Sequence, residues 1–102
     1  MIEVGTCGFS YRDWRGVFYP ESISDREMLE WYATQFSVVE LDFTYYRMPD
    51  AKTIGGMSRR TPENFSFCVK AHRSMTHELS RDSDDIAEAF QTFSKAMAPL
   101  VS

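Results

Sequence analysis

The sequence predicts an α/β fold of about three strand-then-helix units joined in series into a parallel sheet. Short stretches of period-two apolar residues alternate along the chain with longer stretches of period three to four. Strands that alternate with helices are joined by crossovers, and crossovers make the sheet parallel and right-handed. At 102 residues, 43% hydrophobic and 25% charged, the composition is that of one globular unit.

Ile2 to Cys7 is short, rich in β-branched residues and ends at Gly8, so it reads as the first strand. A loop dense in rings and charges, Phe9 to Ile23, follows. Ser24-Asp25-Arg26-Glu27 has the Ser-x-x-Glu spacing of a capping box, and Ile23 and Met28 are spaced as a hydrophobic staple. A helix is therefore expected from about Asp25 to Gln35, with Met28, Leu29, Tyr32 and Phe36 on one face. Val38 to Phe43 reads as the second strand. Asp50 to Arg60 reads as a helix weakened by Gly55 and Gly56, each costing up to ~1 kcal/mol relative to alanine. Thr61 to Asn64 is a turn, and Phe65 to Ala71 alternates as the third strand. Asp82 to Asp85 then caps a helix whose apolar residues Ile86, Ala89, Phe90, Phe93, Met97 and Leu100 recur at three and four.

Composition narrows the function. No apolar stretch approaches the ~20 residues that span a bilayer, and Met1-Ile2-Glu3-Val4 lacks a signal peptide's basic and apolar regions. The expectation is a cytoplasmic protein with no membrane partner. Cys7 and Cys68 form no Cys-x-x-Cys pair; on strands one and three they stand ~9.6 Å apart, beyond the ~7 Å that a disulfide bridges. A net charge of −4 argues against indiscriminate nucleic-acid binding while leaving room for a local basic patch. No fixed-period repeat or low-complexity tract divides the chain.

Strand parity predicts a site. Period two puts Val39, Leu41 and Phe43 on one face and Glu40 and Asp42 on the other; it likewise separates Phe65, Phe67 and Val69 from Ser66, Cys68, Lys70 and His72. If helices cover the apolar sets, the polar sets share the opposite face. The loops that leave the strand ends add Arg12, Trp14 and Arg15, then Tyr45, Tyr46 and Arg47, then Arg73 and His77. Arginine binds phosphate or carboxylate in bidentate fashion and aromatic rings stack, a mixture suited to an anionic, ring-bearing or sugar-bearing ligand.

The run from Gly5-Thr6-Cys7-Gly8-Phe9 through Trp14-Arg15-Gly16-Val17-Phe18-Tyr19-Pro20 resembles the opening signature of the YecE-like family, the domain of unknown function 72. Phe36 to Pro49, containing Glu40-Leu41-Asp42-Phe43-Thr44-Tyr45-Tyr46-Arg47, is similar to its second block, and Phe65 to His77 to its third. The resemblance implies a TIM-like (β/α)8 barrel of roughly 250 residues, of which residues 1–102 are the N-terminal portion, and it implies no particular reaction. Barrel enzymes build their sites at the C-terminal strand ends, where these polar residues fall. Cys7 stands where the family commonly has Ser, Asp42 where it has Asn, and Gly55 with Gly56 where a Trp-containing helix is usual.

Glu40, Asp42 and His72 are the candidate acid and base groups; Arg12, Trp14, Tyr45, Tyr46, Arg47, Lys70, Arg73 and His77 are the candidate ligand contacts. Each has a structural alternative: Glu40 and Lys70 on neighbouring strands neutralising each other, His72 as a hydrogen-bonded wall residue, His77 as a brace, Arg12 and Trp14 as a plug at the barrel mouth. Glu40, Asp42 and His72 also combine carboxylate and imidazole as a zinc or manganese site does. Gly5-Thr6-Cys7-Gly8 matches no phosphate-loop pattern, and the sequence assigns no cofactor. Two functions stay open: an enzyme acting on an anionic sugar- or phosphate-containing substrate through hydrolase-type acid/base chemistry, and a non-catalytic nucleic-acid-binding module. Three strands alone leave two open sheet edges, so residues 1–102 by themselves are expected to self-associate and to lack activity.

Overall fold

Three parallel strands, β1 (Thr6–Cys7), β2 (Val38–Leu41) and β3 (Ser66–Val69), lie side by side in the order β1-β2-β3 in a computed structural model that describes residues 2–101. Helices α1 (Met28–Gln35), α2 (Phe43–Tyr46), α3 (Ala51–Arg59) and α4 (Ser83–Met97) fill the connections, with short 3-10 turns at Arg12–Trp14, Asp25–Glu27, Arg73–Met75 and Ala98–Leu100. The predicted α/β class with parallel strand-then-helix units is the observed one.

The core lies on one face of the sheet. Met28, Leu29 and Tyr32 of α1 and Ile54 of α3 pack on Val39 and Leu41 of β2, with Tyr19, Ile23 and Phe65 closing the cluster. Each such side chain contributes about 1.5–3 kcal/mol through the apolar area it withdraws from water. The loop after β1 joins this core through its rings: Phe18 stands 5.5 Å from Trp14, 4.8 Å from Trp31 and 5.6 Å from Phe36. The opposite face, with Cys7, Glu40, Ser66, Cys68 and Lys70, is exposed. Parity thus falls as the alternation predicts.

Helix starts follow local chemistry. Glu27 Oε1 accepts from both the Ser24 amide (3.2 Å) and the Ser24 hydroxyl (2.7 Å), which holds its carboxyl below the usual range. The first turn there is 3-10, so α1 proper begins at Met28 rather than Asp25. Asp50 caps α3 by accepting from the Thr53 amide at 2.8 Å. Despite its two glycines α3 forms, and the buried Gly55 faces the Ala98–Leu100 turn, where a Cβ would make ordinary contact with Pro99 at 3.7 Å. On α4 the apolar stripe is only partly covered: Ala96 is buried, Ile86, Ala89, Phe93 and Met97 are half-buried, and Phe90 is exposed.

The strands are shorter than the sequence predicts. β1 holds only Thr6 and Cys7, because the ladder is interrupted below Thr6. The Tyr32 hydroxyl, fully buried, accepts from the Thr6 amide at 2.8 Å and donates to the Val38 carbonyl at 2.9 Å. The phenol stands in for a backbone bond between β1 and β2. Ladder pairing resumes at Gly8, whose amide donates to the Glu40 carbonyl at 2.8 Å. β2 ends at Leu41, not Phe43, since Asp42 is already helical and leads into α2, a segment that the sequence alone predicts as loop. β3 likewise ends at Val69 rather than Ala71. Among the described residues no helix is long and apolar enough to cross a membrane.

Candidate functional site

The helix-free face carries two groups of side chains at the C-terminal strand ends. The first is Cys7, Glu40 and Asp42. Backbone register sets Cys7 opposite Glu40, and the Cys7 thiol donates to Asp42 Oδ2. One ligand atom from each of the three residues lies within 4.8 Å of the other two. Hydrogen bonding to Asp42 and then Glu40, with the repulsion of both carboxylates, pushes the Cys7 thiol up from 9.0 to about 12. Cys7 is therefore a proton holder for the carboxylates and a poor nucleophile at neutral pH.

A titration follows from this. The raised value means that the protonated thiol stabilises the fold fully below pH 9.0 and loses that contribution as the pH climbs toward 12. Alkylation of Cys7 by iodoacetamide at pH 8 is expected to run at least tenfold slower than that of a free cysteine and to speed up in Asp42→Asn. Equal rates in the two forms, followed by peptide mass mapping, would remove the hydrogen bond from the picture.

The second group surrounds Tyr45 in α2. The Lys70 ammonium sits 4.8 Å from the Tyr45 ring centroid, the His77 ring meets the same ring edge-on at 5.5 Å, and Tyr46 lies at 5.0 Å. Thr44, a fully buried polar residue, donates to the Lys70 carbonyl at 2.5 Å and so ties the end of β3 to α2. The Lys70 amide donates to the Leu41 carbonyl at 2.9 Å, which places Lys70 level with the Asp42 end of β2.

Two alternatives that the sequence leaves open are not seen among the described residues. Glu40 is opposite Cys68, and the described residues contain no Glu40–Lys70 ion pair; the register sets the lysine two positions further along, level with Asp42. His72 does not join Glu40 and Asp42 as a ligand set. Its Nδ1 accepts from the Ser74 amide at 3.1 Å and meets the Ser74 hydroxyl at 2.8 Å, capping the next turn. With Nδ1 an acceptor, the neutral ring carries its proton on Nε2. Cys7, not a site candidate from the sequence, stands with Glu40 and Asp42 instead, and this trio would hold a divalent ion such as zinc only with loss of the thiol proton.

The remaining candidates are dispersed. Trp14 is half-buried among Tyr11, Phe18 and Tyr19, with centroids at 4.6, 5.5 and 5.8 Å. Arg12 is exposed on its 3-10 turn and Arg47 is exposed just past α2. Arg15 is a brace, donating to Asp25 at 2.6 Å and to the Ile23 carbonyl at 3.0 Å. Arg73 pairs with Glu78 at 3.7 Å. A cleft of about 430 Å³ opens at the β1 and β2 ends, lined by Cys7, Ser10, Tyr11, Asp42, Phe43 and Arg60 among others. Nothing in the sequence marks Arg60 for this wall, because only tertiary packing brings the end of α3 to it.

Relatives agree with this architecture. Residues 3–102 match the family described as "Protein of unknown function DUF72". The chain is 32% identical over 103 residues to the UPF0759 protein YunF of Bacillus subtilis. Its structure is similar to that of a DUF72 family protein of Thermotoga maritima (TM-score 0.75, 37% identity, 99% of this chain). A DUF72 family protein of Enterococcus faecalis is similar too (TM-score 0.74, 27% identity, 99% of this chain). The chain spans 35% of the length of the Bacillus relative and 40% and 35% of the two solved chains. With nearly every residue inside the matched region and the three parallel units reproduced in both solved relatives, the chain belongs to the DUF72 family.

Proposed function

We propose that the helix-free face binds a small anionic ligand carrying a sugar or ring, with Lys70 as the counter-charge and Glu40 and Asp42 as proton-exchanging groups in hydrolase-type chemistry. The observation that carries this reading is the Lys70 ammonium held over the Tyr45 ring, beside two carboxylates it does not neutralise. An exposed ammonium without a carboxylate partner is free to meet a phosphate or carboxylate, while Glu40 and Asp42 accept hydrogen bonds from sugar hydroxyls. Tyr45, with Tyr46 and His77 beside it, offers a surface for the ring, and Arg12 and Arg47 stand on the loops at the same strand ends. His72 in its Nε2–H form acts as a donor there.

Titration with ribose 5-phosphate tests the proposal. Lys70→Ala is expected to weaken binding roughly 10- to 100-fold, the worth of a hydrogen bond to a charged group. A variant that binds as the parent does would overturn it. Stronger binding of a single-stranded oligonucleotide, falling steeply between low and moderate salt, would replace it with a nucleic-acid role.

A further inference from the structure

Helix α3, together with Arg60, holds Lys52, Arg59 and Arg60 and no acidic residue, in a chain whose net charge is −4. Its two terminal guanidinium groups converge on the glycine pair. A Cβ at Gly55 would stand 3.3 Å from Arg59 Nη1; one at Gly56 would stand 3.9 Å from Arg59 Nη2 and 4.0 Å from Arg60 Nη2. Helical side chains lean toward the N-terminus, so residues three and four positions on lie over the glycine, where no side chain holds them apart. Neither arginine has a carboxylate within 4.0 Å among the described residues. Two like charges gathered over Gly56, the half-buried member of the glycine pair, repel each other until an anion comes between them.

We propose that Arg59 and Arg60, over the floor made by Gly56, form a phosphate site. A tetrahedral oxyanion offers enough acceptor oxygens for both planar forks, which is the geometry arginine recognises. The site shares no residue with the Lys70 and Tyr45 group and stands or falls independently of it. The phosphate belongs either to a small ester or to a nucleic-acid backbone, and the two sources differ in salt dependence.

The test uses the 102-residue chain and inorganic phosphate, read through the arginine Nε–Hε resonances with chloride at matched ionic strength as the control. Shifts concentrated at Arg59 and Arg60 are expected, with Arg59→Gln or Arg60→Gln each weakening phosphate at least ~10-fold. Gly56→Ala leaves binding intact, because its Cβ meets the forks at ordinary contact distance. Gly56→Leu drives them apart and abolishes binding while raising the thermal midpoint, since leucine is the better helix former. That opposite movement is one a purely structural role does not produce. A nucleoside monophosphate that binds with a shallow salt slope identifies the small ester; an oligonucleotide whose steep slope flattens in Arg60→Gln identifies the backbone. Shifts spread evenly over all arginines, the same shifts in chloride, or a Gly56→Leu variant that binds like the parent would overturn the assignment.

Discussion

Gly5→Ala is expected to destabilise the fold by about 3 kcal/mol or more, lowering the thermal midpoint by roughly 12–24 °C. An added Cβ would stand 2.0 Å from the Val38 carbonyl oxygen and 2.9 Å from both the carbonyl carbon and Cγ1 of the same residue. The obstruction includes backbone, so no rotamer change relieves it; β1 has to move away from β2. Gly16 provides the contrast. Its φ of +78° disfavours a side chain, yet a Cβ there meets nothing within 4 Å, so Gly16→Ala should cost only about 1–2 kcal/mol of backbone strain. Thermal melts of both variants decide the matter, and a Gly5→Ala midpoint equal to the parent's would mean that the close approach is not real.

Tyr32→Phe is expected to cost about 2–4 kcal/mol, because removing one oxygen orphans the Thr6 amide and the Val38 carbonyl together. The ring itself loses nothing: it keeps its place against Phe36 at 5.0 Å and Phe65 at 6.1 Å. The loss is therefore polar and local to the β1–β2 junction. Hydrogen exchange at the Thr6 amide should speed up along with the fall in the urea midpoint. Because Cys7 follows Thr6 directly, loosening there should also free the thiol from Asp42. An unchanged urea midpoint with Thr6 still protected would show that the hydroxyl does not bridge the strands.

Much of the site was legible because its causes are short-range. Glu40 and Lys70 reach the helix-free face through period-two alternation beside Leu41 and Val69, a property of the strand itself. The Ser24 and Glu27 pair starts its helix through contacts three residues apart. Asp42 was placed on the right face, but its helical backbone was not foreseen, since the four-residue helix that follows is anchored by Thr44 reaching across to the Lys70 carbonyl. His72, expected at the end of the third strand, lies three residues beyond β3 as the cap of the Arg73–Met75 turn. What it bonds to was decided by its own turn, where the Ser74 amide is the nearest donor.

By itself, the sequence determined the order of strands and helices, their parallel sense and the face on which each strand residue lies. Tertiary structure alone decided the register that sets Glu40 between Cys7 and Cys68, the Tyr32 hydroxyl standing in the β1–β2 ladder, and the meeting of Lys70 with Tyr45. The physical reason is range. Periodicity and capping act over a few residues and are written into neighbouring side chains, whereas register and cross-strand contacts join residues 25 to 35 positions apart and are settled only when the core closes around them.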